Sequence, residues 1–370
     1  MKKMIVIGGG ILGASTAYHL AVRGFQVTVV DRKDQGQATG AAAGIICPWL
    51  SQRRNKAWYA LVREGAAYYR ELIPMLNEAG ESDHGFKQTG AICLHDDPVK
   101  RDKMLKRALQ KREEAPEIGE LTPVSNEEIN RYFPYLTDEY AGLYVEGAAR
   151  VDGAKLRDSL LSAAVKSGAR ILEGQADLAI EQGSMKGVHV SGQFISADMV
   201  IVTAGAWAKE LFSAAGIEID VSYQKAQILH LKVEDQTDHW PVVIPPGDQY
   251  LLAFDDGRLV AGATHENDVP MDDRLTVSGI REVFDKATLI APALEEAEFI
   301  EGRVGYRPFT PGFLPVIGEF PGIKNLLFAN GLGASGLTSG PFLGAELARL
   351  AAGEETVLDL SPYTPESILK

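Results

Sequence analysis

Three glycines near the amino terminus follow the spacing Gly-x-Gly-x-x-Gly. They are Gly8, Gly10 and Gly13 of the segment GGGILG. The first glycine of such a motif permits a tight turn, the second lets a bound group approach the backbone, and the third allows a helix to pack closely on a strand. Free N–H groups at the start of a helix that begins here would hold a negatively charged pyrophosphate.

The residues around this motif predict a strand–helix–strand unit. Residues 4–7 are a short apolar run with the composition of a buried parallel strand. Residues 12–23 predict a helix that Gly24 ends, and residues 26–30 predict a second strand. Asp31 follows that strand, at the position where a carboxylate accepts hydrogen bonds from an adenosine ribose. The whole unit predicts a dinucleotide site much more strongly than the glycines alone.

Three further segments combine small residues with the ends of predicted elements. Residues 38–46, ATGAAAGII, are small enough for the backbone to approach a ligand closely. Residues 203–207, TAGAW, and residues 330–340, NGLGASGLTSG, each follow a predicted strand. A helix is predicted over residues 341–350, because Pro341 suits a first helical turn.

The other elements alternate between helix and strand, except in one strand-rich stretch. Helices are also predicted at 58–76, 100–114 and 153–168, and strands at 170–172, 199–202 and 326–329. Residues 221–264 predict strands only, with hairpin signals at Pro246–Gly247 and at 255–257. Elements typical of a parallel sheet therefore occur at both ends and in the middle of the chain.

This distribution predicts an α/β fold, α+β overall, with two domains. A Rossmann-like dinucleotide-binding domain is expected to comprise residues 1–85, 146–220 and 301–370. An inserted strand-rich, substrate-binding domain is expected to comprise residues 86–145 and 221–300. The chain of 370 residues is long enough for two hydrophobic cores.

Composition and charge exclude several classes of function. The formal net charge of −13 argues against a nucleic-acid partner, because phosphates would be repelled. Cys47 and Cys93 form no CxxC pair, so we expect no metal site, redox dithiol or disulfide. No apolar run reaches the ~18 residues of a membrane-spanning helix, and we predict a cytoplasmic protein. A homo-oligomer is compatible with the sequence.

Five segments, taken in order, are similar to those of a known enzyme family. They are DRKDQGQATGAAAGI, VIVTAGAWAKEL, GRLVAGATHE, GYRPFTPGFLPVIG and NGLGASGLTSGP. With the amino-terminal motif they resemble the FAD-dependent amino-acid and amine oxidases of the D-amino-acid oxidase superfamily, in the glycine oxidase and sarcosine oxidase branch. The resemblance extends from residue 4 to about residue 352 and is weakest over residues 80–145. It implies FAD as cofactor, bound non-covalently because no cysteine lies near GYRPFTPG, where sarcosine oxidase tethers its flavin.

The resemblance also implies which residues contact FAD. The segment after residue 38 would pass the flavin, and backbone N–H groups of the last glycine-rich segment would stabilise negative charge on the reduced ring. Trp207 would lie either beside FAD or in the hydrophobic core. The expected contacts are Gly8, Gly10, Ile11, Leu12, Gly13, Asp31, Arg32, Thr39, Ala42, Ala43, Gly44, Ile45, Thr203, Ala204, Gly205, Trp207, Gly333, Ala334, Ser335, Gly336, Leu337 and Thr338.

Three residues are expected at the reacting end of the site. In glycine oxidase-like proteins an arginine at the position of Arg307 and a tyrosine at the position of Tyr250 bind the substrate carboxylate. A guanidinium suits this role because it donates two parallel hydrogen bonds. Arg303 is an alternative anchor. His265 replaces an apolar residue of glycine oxidase, and it would either line the substrate pocket or be an ordinary histidine at a strand end.

The implied reaction is the oxidation of a small amino acid at its Cα–N bond, by hydride transfer to flavin N5. Glycine, sarcosine and D-amino acids are the substrates that the resemblance suggests, with an oxo acid and ammonia or an amine as products. The electron acceptor is either oxygen, giving hydrogen peroxide, or a quinone or partner protein, as in D-amino-acid or proline-type dehydrogenases. The other readings are an NAD-dependent dehydrogenase and a non-catalytic FAD-binding subunit of an amine-oxidising complex.

Overall fold

The computed structural model of the protein describes residues 1–369, so Lys370, the last residue of the expected dinucleotide-binding domain, lies outside the described residues. The helices are α1 Ile11–Val22, α2 Ala38–Ala41, α3 Lys56–Glu78, α4 Pro98–Arg112, α5 Asn126–Tyr132, α6 Gly153–Lys166, α7 Ala208–Ala214, α8 Val277–Ile290 and α9 Gly336–Ala352. The strands are β1 Lys3–Ile7, β2 Gln26–Asp31, β3 Ile45–Ile46, β4 Phe86–Lys87, β5 Ala91–His95, β6 Leu121–Val124, β7 Ala141–Val145, β8 Ala149–Val151, β9 Arg170–Glu173, β10 Ala176–Glu181, β11 Ser184–Val190, β12 Gln193–Ser196, β13 Met199–Val202, β14 Ser222–Lys232, β15 Val242–Ile244, β16 Tyr250–Ala253, β17 Arg258–Gly262, β18 Glu298–Phe309, β19 Val316–Glu319 and β20 Leu326–Asn330.

A six-stranded sheet forms the first layer, in the order β19-β20-β13-β1-β2-β9. All neighbours in it are parallel except β19 and β20. Val6 of β1 pairs with Ile201 on one side and Val29 on the other, and all three side chains are buried. A parallel sheet covered on both faces requires such continuous apolar strands. The predicted strand–helix–strand unit and the Rossmann-like fold are confirmed.

An eight-stranded, largely antiparallel sheet forms the second layer, in the order β18-β14-β17-β16-β15-β5-β7-β6. Its strands come from residues 91–145 and 222–309, which includes the strand-rich stretch expected from the sequence. The expected domain boundary between residues 300 and 301 falls inside β18. Two three-stranded sheets complete the fold, and one of them, β10-β11-β12, has no counterpart in the sequence-based prediction.

The helix that was expected to begin near Pro341 begins five residues earlier. Helix α9 starts at Gly336 and contains Pro341 in its interior. Proline has no N–H, so it leaves the carbonyl of Leu337, one turn earlier, without its helical partner. The hydroxyl of Tyr69, on α3, donates a hydrogen bond of 2.6 Å to that carbonyl. A neighbouring helix therefore satisfies the group that sequence rules leave unpaired, and the helix continues through the proline.

The hydrophobic core is continuous between the two large sheets. One cluster of buried side chains includes Val6 and Ile201 of the six-stranded sheet together with Leu252 and Val260 of the eight-stranded sheet. The two sheets are therefore joined through packed side chains as well as through the chain connections. The cavity described below lies where these two layers meet, so its walls belong to both.

Candidate functional site

A large cavity runs from the carboxyl ends of the parallel strands to the face of the eight-stranded sheet. Its empty volume is about 1780 Å³. Its wall includes the ends of β1 and β2, the segment after β13, the last glycine-rich segment, and residues of β14, β16 and β18. Ligands of open parallel sheets bind at the carboxyl ends of the strands, so this position is the one expected for a nucleotide.

The glycine motif packs so closely that larger residues do not fit. A Cβ on Gly13 would lie 1.8 Å from the Gly8 carbonyl oxygen, and a Cβ on Gly8 would lie 2.6 Å from the carbonyl oxygen of Thr203. Gly8 also has a φ of +100°, which favours glycine. Gly13 does not line the cavity; it brings α1 against the turn that does. The two remaining motif residues, Gly8 and Gly10, form part of the wall.

The start of α1 presents donors and no negative charge to the cavity. Its first turn contains no acidic residue. The Thr39 hydroxyl oxygen accepts a hydrogen bond of 3.0 Å from the Ile11 N–H, which ties the small-residue segment to the start of the helix. Helix geometry leaves the following N–H groups without intrahelical partners. The backbone here can therefore hold an anionic group, as the sequence predicted.

Asp31 is positioned at the end of β2 by groups of the chain itself. Its carboxylate accepts hydrogen bonds from the N–H of Gly9, from the N–H of Lys33 at 2.6 Å and from the Gln37 amide at 3.0 Å. Two carboxylate oxygens offer about four acceptor sites, so one remains for a ribose hydroxyl. Arg32 also lines the cavity, although its guanidinium pairs with Asp34 and Glu210.

The small-residue segment follows one side of the cavity. Of the residues expected from it, Thr39, Ala42, Ala43, Gly44 and Ile45 all lie in the wall. Gly44 has a φ of +91°, and a Cβ there would lie 1.8 Å from the backbone carbonyl oxygen of Val151. The segment can thus follow the cavity only because residue 44 lacks a side chain.

The segment after β13 supplies the opposite side. Thr203, Ala204, Gly205 and Trp207 all line the cavity. The Trp207 ring is half-buried and meets the Tyr306 ring edge-to-face, with their centroids 6.1 Å apart. Trp207 therefore belongs to the cavity wall while also packing on a buried aromatic ring.

The last glycine-rich segment is held against the segment after β13. The Asn330 side chain donates to the Gly205 carbonyl at 2.9 Å and accepts from the Gly331 N–H at 2.7 Å. Gly333, Ala334, Gly336 and Leu337 line the cavity, as expected. This arrangement places a short backbone loop and the start of α9 beside the space where a ligand would lie.

Two expected contacts of this segment are directed elsewhere. The Ser335 hydroxyl accepts a hydrogen bond of 3.2 Å from the Trp58 indole, and Ser335 lines a second cavity. The Thr338 hydroxyl donates to the Ile45 carbonyl at 3.1 Å. Neither residue is in the wall of the large cavity, so we assign both a supporting role: they connect α9 to α3 and to β3.

Arg307 and Tyr250 come together at the far end of the cavity, on one face of the eight-stranded sheet. Both line the cavity, and the Tyr250 hydroxyl is close enough to the Arg307 guanidinium for that charge to act on the pKa of the phenol. Burial raises the pKa of Tyr250, and the nearby guanidinium partly opposes this effect. A neutral phenol beside a cation provides donors for a carboxylate and offers it no negative charge.

The other two candidates at this end lie outside the cavity wall. Arg303 pairs with Glu301, donates to the Gly40 carbonyl at 3.0 Å and lines a separate cavity. His265 is exposed and lies 3.4 Å from the Asp248 carboxylate. Desolvation, followed by the charge of Arg307, lowers the pKa of His265 below 6.5. His265 is therefore close enough to Arg307 for that charge to lower its pKa, but it does not line the cavity.

Several residues of the wall were not identified from the sequence. They include Gln37, Gly174–Asp177, Glu210, Ala226, Gly305 and Tyr306. The turn at Gly174 follows β9, which lies beside β2 in the sheet. A turn after a predicted parallel strand is a usable signal, but the sequence does not say that this strand is the neighbour of β2. Gly305 is needed because a Cβ there would lie 2.7 Å from that of Ala41.

Two features are missing from residues 1–369: a membrane-spanning helix and a metal-binding cluster of side chains. No helix in this part of the chain is long and apolar enough to cross a membrane. No group of three or more histidine, cysteine, aspartate or glutamate side chains there could hold a metal ion. Cys47 and Cys93 are both free; the interaction with the Cys47 thiol, followed by burial, raises the pKa of Cys93.

Comparisons with known proteins show what the whole chain is similar to. The family model described as DAO, FAD dependent oxidoreductase, matches residues 3–350. The chain is 57% identical to the Bacillus subtilis oxidoreductase YurR over 100% of both chains, and 28% identical to the glycine oxidase of Pseudomonas putida over 100% of this chain and 99% of that one. The crystal structure of iminodiacetate oxidase from Chelativorans sp. BNC1 is 42% identical, covers 98% of both chains and superposes with a TM-score of 0.95.

Proposed function

Because the chain belongs to the DAO family of FAD-dependent oxidoreductases, in its glycine oxidase-like branch, we propose that it oxidises the C–N bond of a small amino acid. The observation on which this proposal mainly rests is that Arg307 and Tyr250 line the same cavity, with the guanidinium charge acting on the phenol. A cation and a phenol at one end of a cavity whose other end fits a dinucleotide would hold a carboxylate-bearing substrate against the cofactor.

FAD fits the residues that line the cavity. Gly8 and Gly44 line the cavity with bare backbone, because a Cβ at either position would collide with the backbone of Thr203 or Val151, and the carboxylate of Asp31 retains an acceptor site. We propose that the start of α1 holds the pyrophosphate, that Asp31 binds the ribose, and that residues 333–337 lie along the flavin. When bound, FAD supplies the acceptor for the two electrons and the hydrogen that leave the substrate.

The substrate-binding step depends on charge and geometry. The guanidinium of Arg307 would donate two parallel hydrogen bonds to the substrate carboxylate, and the Tyr250 hydroxyl would donate a third. These contacts orient the Cα–N bond, because the carboxylate is attached directly to the same carbon. The imine product would then be hydrolysed by water to an oxo acid and ammonia, or to an oxo acid and an amine when the nitrogen is substituted.

The first experiment is an absorbance titration of the purified, anaerobic holoenzyme. The panel contains glycine, sarcosine, D-alanine and proline, with iminodiacetate added because a similar solved structure is an oxidase of that compound. We expect at least one compound to bleach the visible flavin bands. If readmitted air restores the flavin colour at once, oxygen is the electron acceptor. If the colour returns only when a quinone is added, the protein is a dehydrogenase. A protein whose flavin no amino acid reduces contradicts the proposal and supports a non-catalytic subunit.

A pair of arginine variants tests the assignment of the carboxylate anchor. Arg307→Met should raise KM for the best substrate by about 10-fold or more, because a charged hydrogen bond contributes ~1.5–3 kcal/mol. Arg303→Met is the matched control: it removes the same group from a residue that pairs with Glu301 outside the cavity, so KM should stay unchanged. If Arg303→Met raised KM and Arg307→Met left KM unchanged, Arg303 would be the residue that binds the substrate carboxylate.

A further inference from the structure

Gln224 lies directly beside the proposed carboxylate anchor. It pairs with Arg307 across strands β14 and β18, and its side-chain oxygen accepts a hydrogen bond of 3.0 Å from Nη1 of the guanidinium. No aspartate or glutamate within residues 1–369 forms an ion pair with Arg307. The arginine is thus oriented by a neutral acceptor rather than by a carboxylate, and its charge acts on the nearby Tyr250 phenol.

The amide of Gln224 has a defined orientation. Its nitrogen donates a hydrogen bond of 2.9 Å to the side-chain oxygen of Asn267. A guanidinium can only donate, so the Gln224 amide must present its oxygen to Arg307 and its nitrogen to the other side. The Asn267 oxygen stabilises this orientation. A reversed amide would set its N–H donors against the donors of Arg307 and its oxygen against the oxygen of Asn267.

Asn267 is held in place by the backbone next to it. Lys225 and Glu266 exchange two backbone hydrogen bonds, of 3.0 Å and 2.9 Å, in an isolated antiparallel bridge. This bridge brings the segment after β17 alongside the start of β14. In an antiparallel pair the next residues outward face each other, which sets Asn267 opposite Gln224. The chain Asn267–Gln224–Arg307 therefore crosses three segments of the strand-rich layer.

We propose that Gln224 is a positioning residue for substrate recognition and that Asn267 sets the orientation of its amide. The inference rests on the proposed function, because it assumes that Arg307 binds the substrate carboxylate. Gln224 occupies one donor of the guanidinium and so limits rotation of its plane, while the remaining donors stay free for the ligand. An uncharged side chain is required at this position, because a carboxylate here would compete with the carboxylate of the substrate.

The test uses acetate as the probe, bound to the oxidised holoenzyme and followed through the visible absorbance of FAD. Gln224→Glu should weaken acetate binding by about 10-fold or more, because it neutralises Arg307 with a nearly isosteric group. Asn267→Ala should weaken binding less, because it only frees the Gln224 amide. Gln193→Glu is the matched control, since Gln193 is exposed on β12, which is not part of the cavity wall.

A kinetic measurement separates positioning from a general structural effect. With the substrate found in the panel, Gln224→Glu should raise KM while kcat at saturation stays within about twofold of the wild type. Normal FAD content and an unchanged thermal midpoint confirm that the variant is folded. An unfolded Gln224→Glu protein would be replaced by Gln224→Met, which removes the acceptor without adding charge and should weaken acetate binding less.

The outcomes distinguish the inference from the proposed function. If Arg307→Met loses acetate binding and Gln224→Glu binds acetate as the wild type does, the carboxylate site is supported and the role of Gln224 is overturned. If the wild type binds no acetate, the carboxylate site itself is overturned, and the inference with it. A lower kcat with unchanged KM in Gln224→Glu also contradicts a role in positioning the carboxylate anchor.

Discussion

At the scale of single residues, the site depends on where side chains are missing as much as on where they are present. Gly8, Gly13, Gly44 and Gly305 each lie where a Cβ would meet a neighbouring segment. The polar groups are few and each is oriented by another part of the chain, as Asp31 is by three donors. The close packing at these glycines therefore determines the shape of the cavity, and a small number of hydrogen bonds determines how its polar groups are oriented.

Gly13→Ala should both destabilise the protein and reduce its FAD content. The new Cβ would lie 1.8 Å from the Gly8 carbonyl oxygen, so α1 must move away from the turn that lines the cavity. Overpacking of this kind costs ~1–3 kcal/mol or more. The measurements are the free energy of unfolding of the apoprotein and the ratio of FAD to protein after purification.

Gly40→Ala is the control for that variant. Gly40 lies in helix α2, and a Cβ there would meet nothing within 4 Å. Alanine is a better helix former than glycine by about 1 kcal/mol, so this variant should keep its FAD and be no less stable than the wild type. Equal stability and FAD content in Gly13→Ala and Gly40→Ala would contradict the packing argument.

At the scale of elements, helices and strands are completed by groups that belong to their neighbours. Helix α9 runs through Pro341 because Tyr69 of α3 occupies the carbonyl that the proline leaves free. The start of α1 is similarly tied to Thr39. These contacts join elements far apart in the sequence at the edge of the cavity, so the integrity of one element there depends on the presence of another.

Tyr69→Phe should lower the free energy of unfolding by about 1–3 kcal/mol, because it leaves the buried carbonyl of Leu337 without a donor. Chemical denaturation at neutral pH measures the effect. Tyr69 is buried, and phenylalanine keeps its ring, so packing should change little. A loss of only a few tenths of a kcal/mol would mean that the carbonyl finds another partner.

The double variant Tyr69→Phe/Pro341→Ala gives a sharper test of the same contact. Alanine at residue 341 supplies the N–H that proline lacks, and that N–H can donate to the Leu337 carbonyl one turn earlier. The cost of Tyr69→Phe should therefore be smaller in the Pro341→Ala background than in the wild type. Equal costs in both backgrounds would show that the tyrosine hydroxyl does not replace the missing helical hydrogen bond.

At the scale of the whole molecule, two sheets of different type share one core, and the cavity lies between them. Burial in this core also removes titratable side chains from solvent. His19 on α1 is 4% exposed, and burial lowers its pKa to about 4; His230 on β14 is 2% exposed, and its pKa is also lowered to about 4. Both imidazoles are therefore neutral at pH 7, and the fold must keep them neutral.

The stability of the wild type should fall as the pH is lowered from about 6.5 towards 4. The unfolded chain binds a proton on His19 near pH 6.5, whereas the folded protein binds it only near pH 4, so acid favours unfolding in this window. His19 alone should account for about 2 kcal/mol between pH 7 and pH 5. Denaturant titrations at the two pH values measure the loss.

His19→Gln isolates this contribution. Glutamine can retain a donor for the Ser15 carbonyl and an acceptor for the Tyr68 hydroxyl, which are the two partners of the imidazole, but it does not titrate. Its loss of stability between pH 7 and pH 5 should be about 2 kcal/mol smaller than that of the wild type. The exposed His239 provides the control, His239→Gln, which should behave as the wild type does. An identical pH dependence for His19→Gln would contradict the prediction.

Much of the fold and the cofactor was determined by the sequence alone. Short apolar strands, a glycine motif and an acid at a strand end are local patterns, and each has a local physical cause. Such patterns were enough to predict the Rossmann-like unit and, through the resemblance of five segments, FAD and the family. The resemblance to glycine oxidase-like proteins also placed Arg307 and Tyr250 among the candidates.

Only the tertiary structure decided which of these residues meet. Arg303 and Arg307 are four residues apart on one strand, yet only Arg307 lines the cavity. Gln224 contacts Arg307 through strand pairing and contacts Asn267 beside a backbone bridge, and no local pattern encodes either contact. Helix α9 begins before Pro341 because the Tyr69 hydroxyl, on another helix, donates to the carbonyl that the proline leaves unpaired. Sequence patterns report the preferences of neighbouring residues, whereas hydrogen-bond partners and cavity walls come from segments that folding alone brings together.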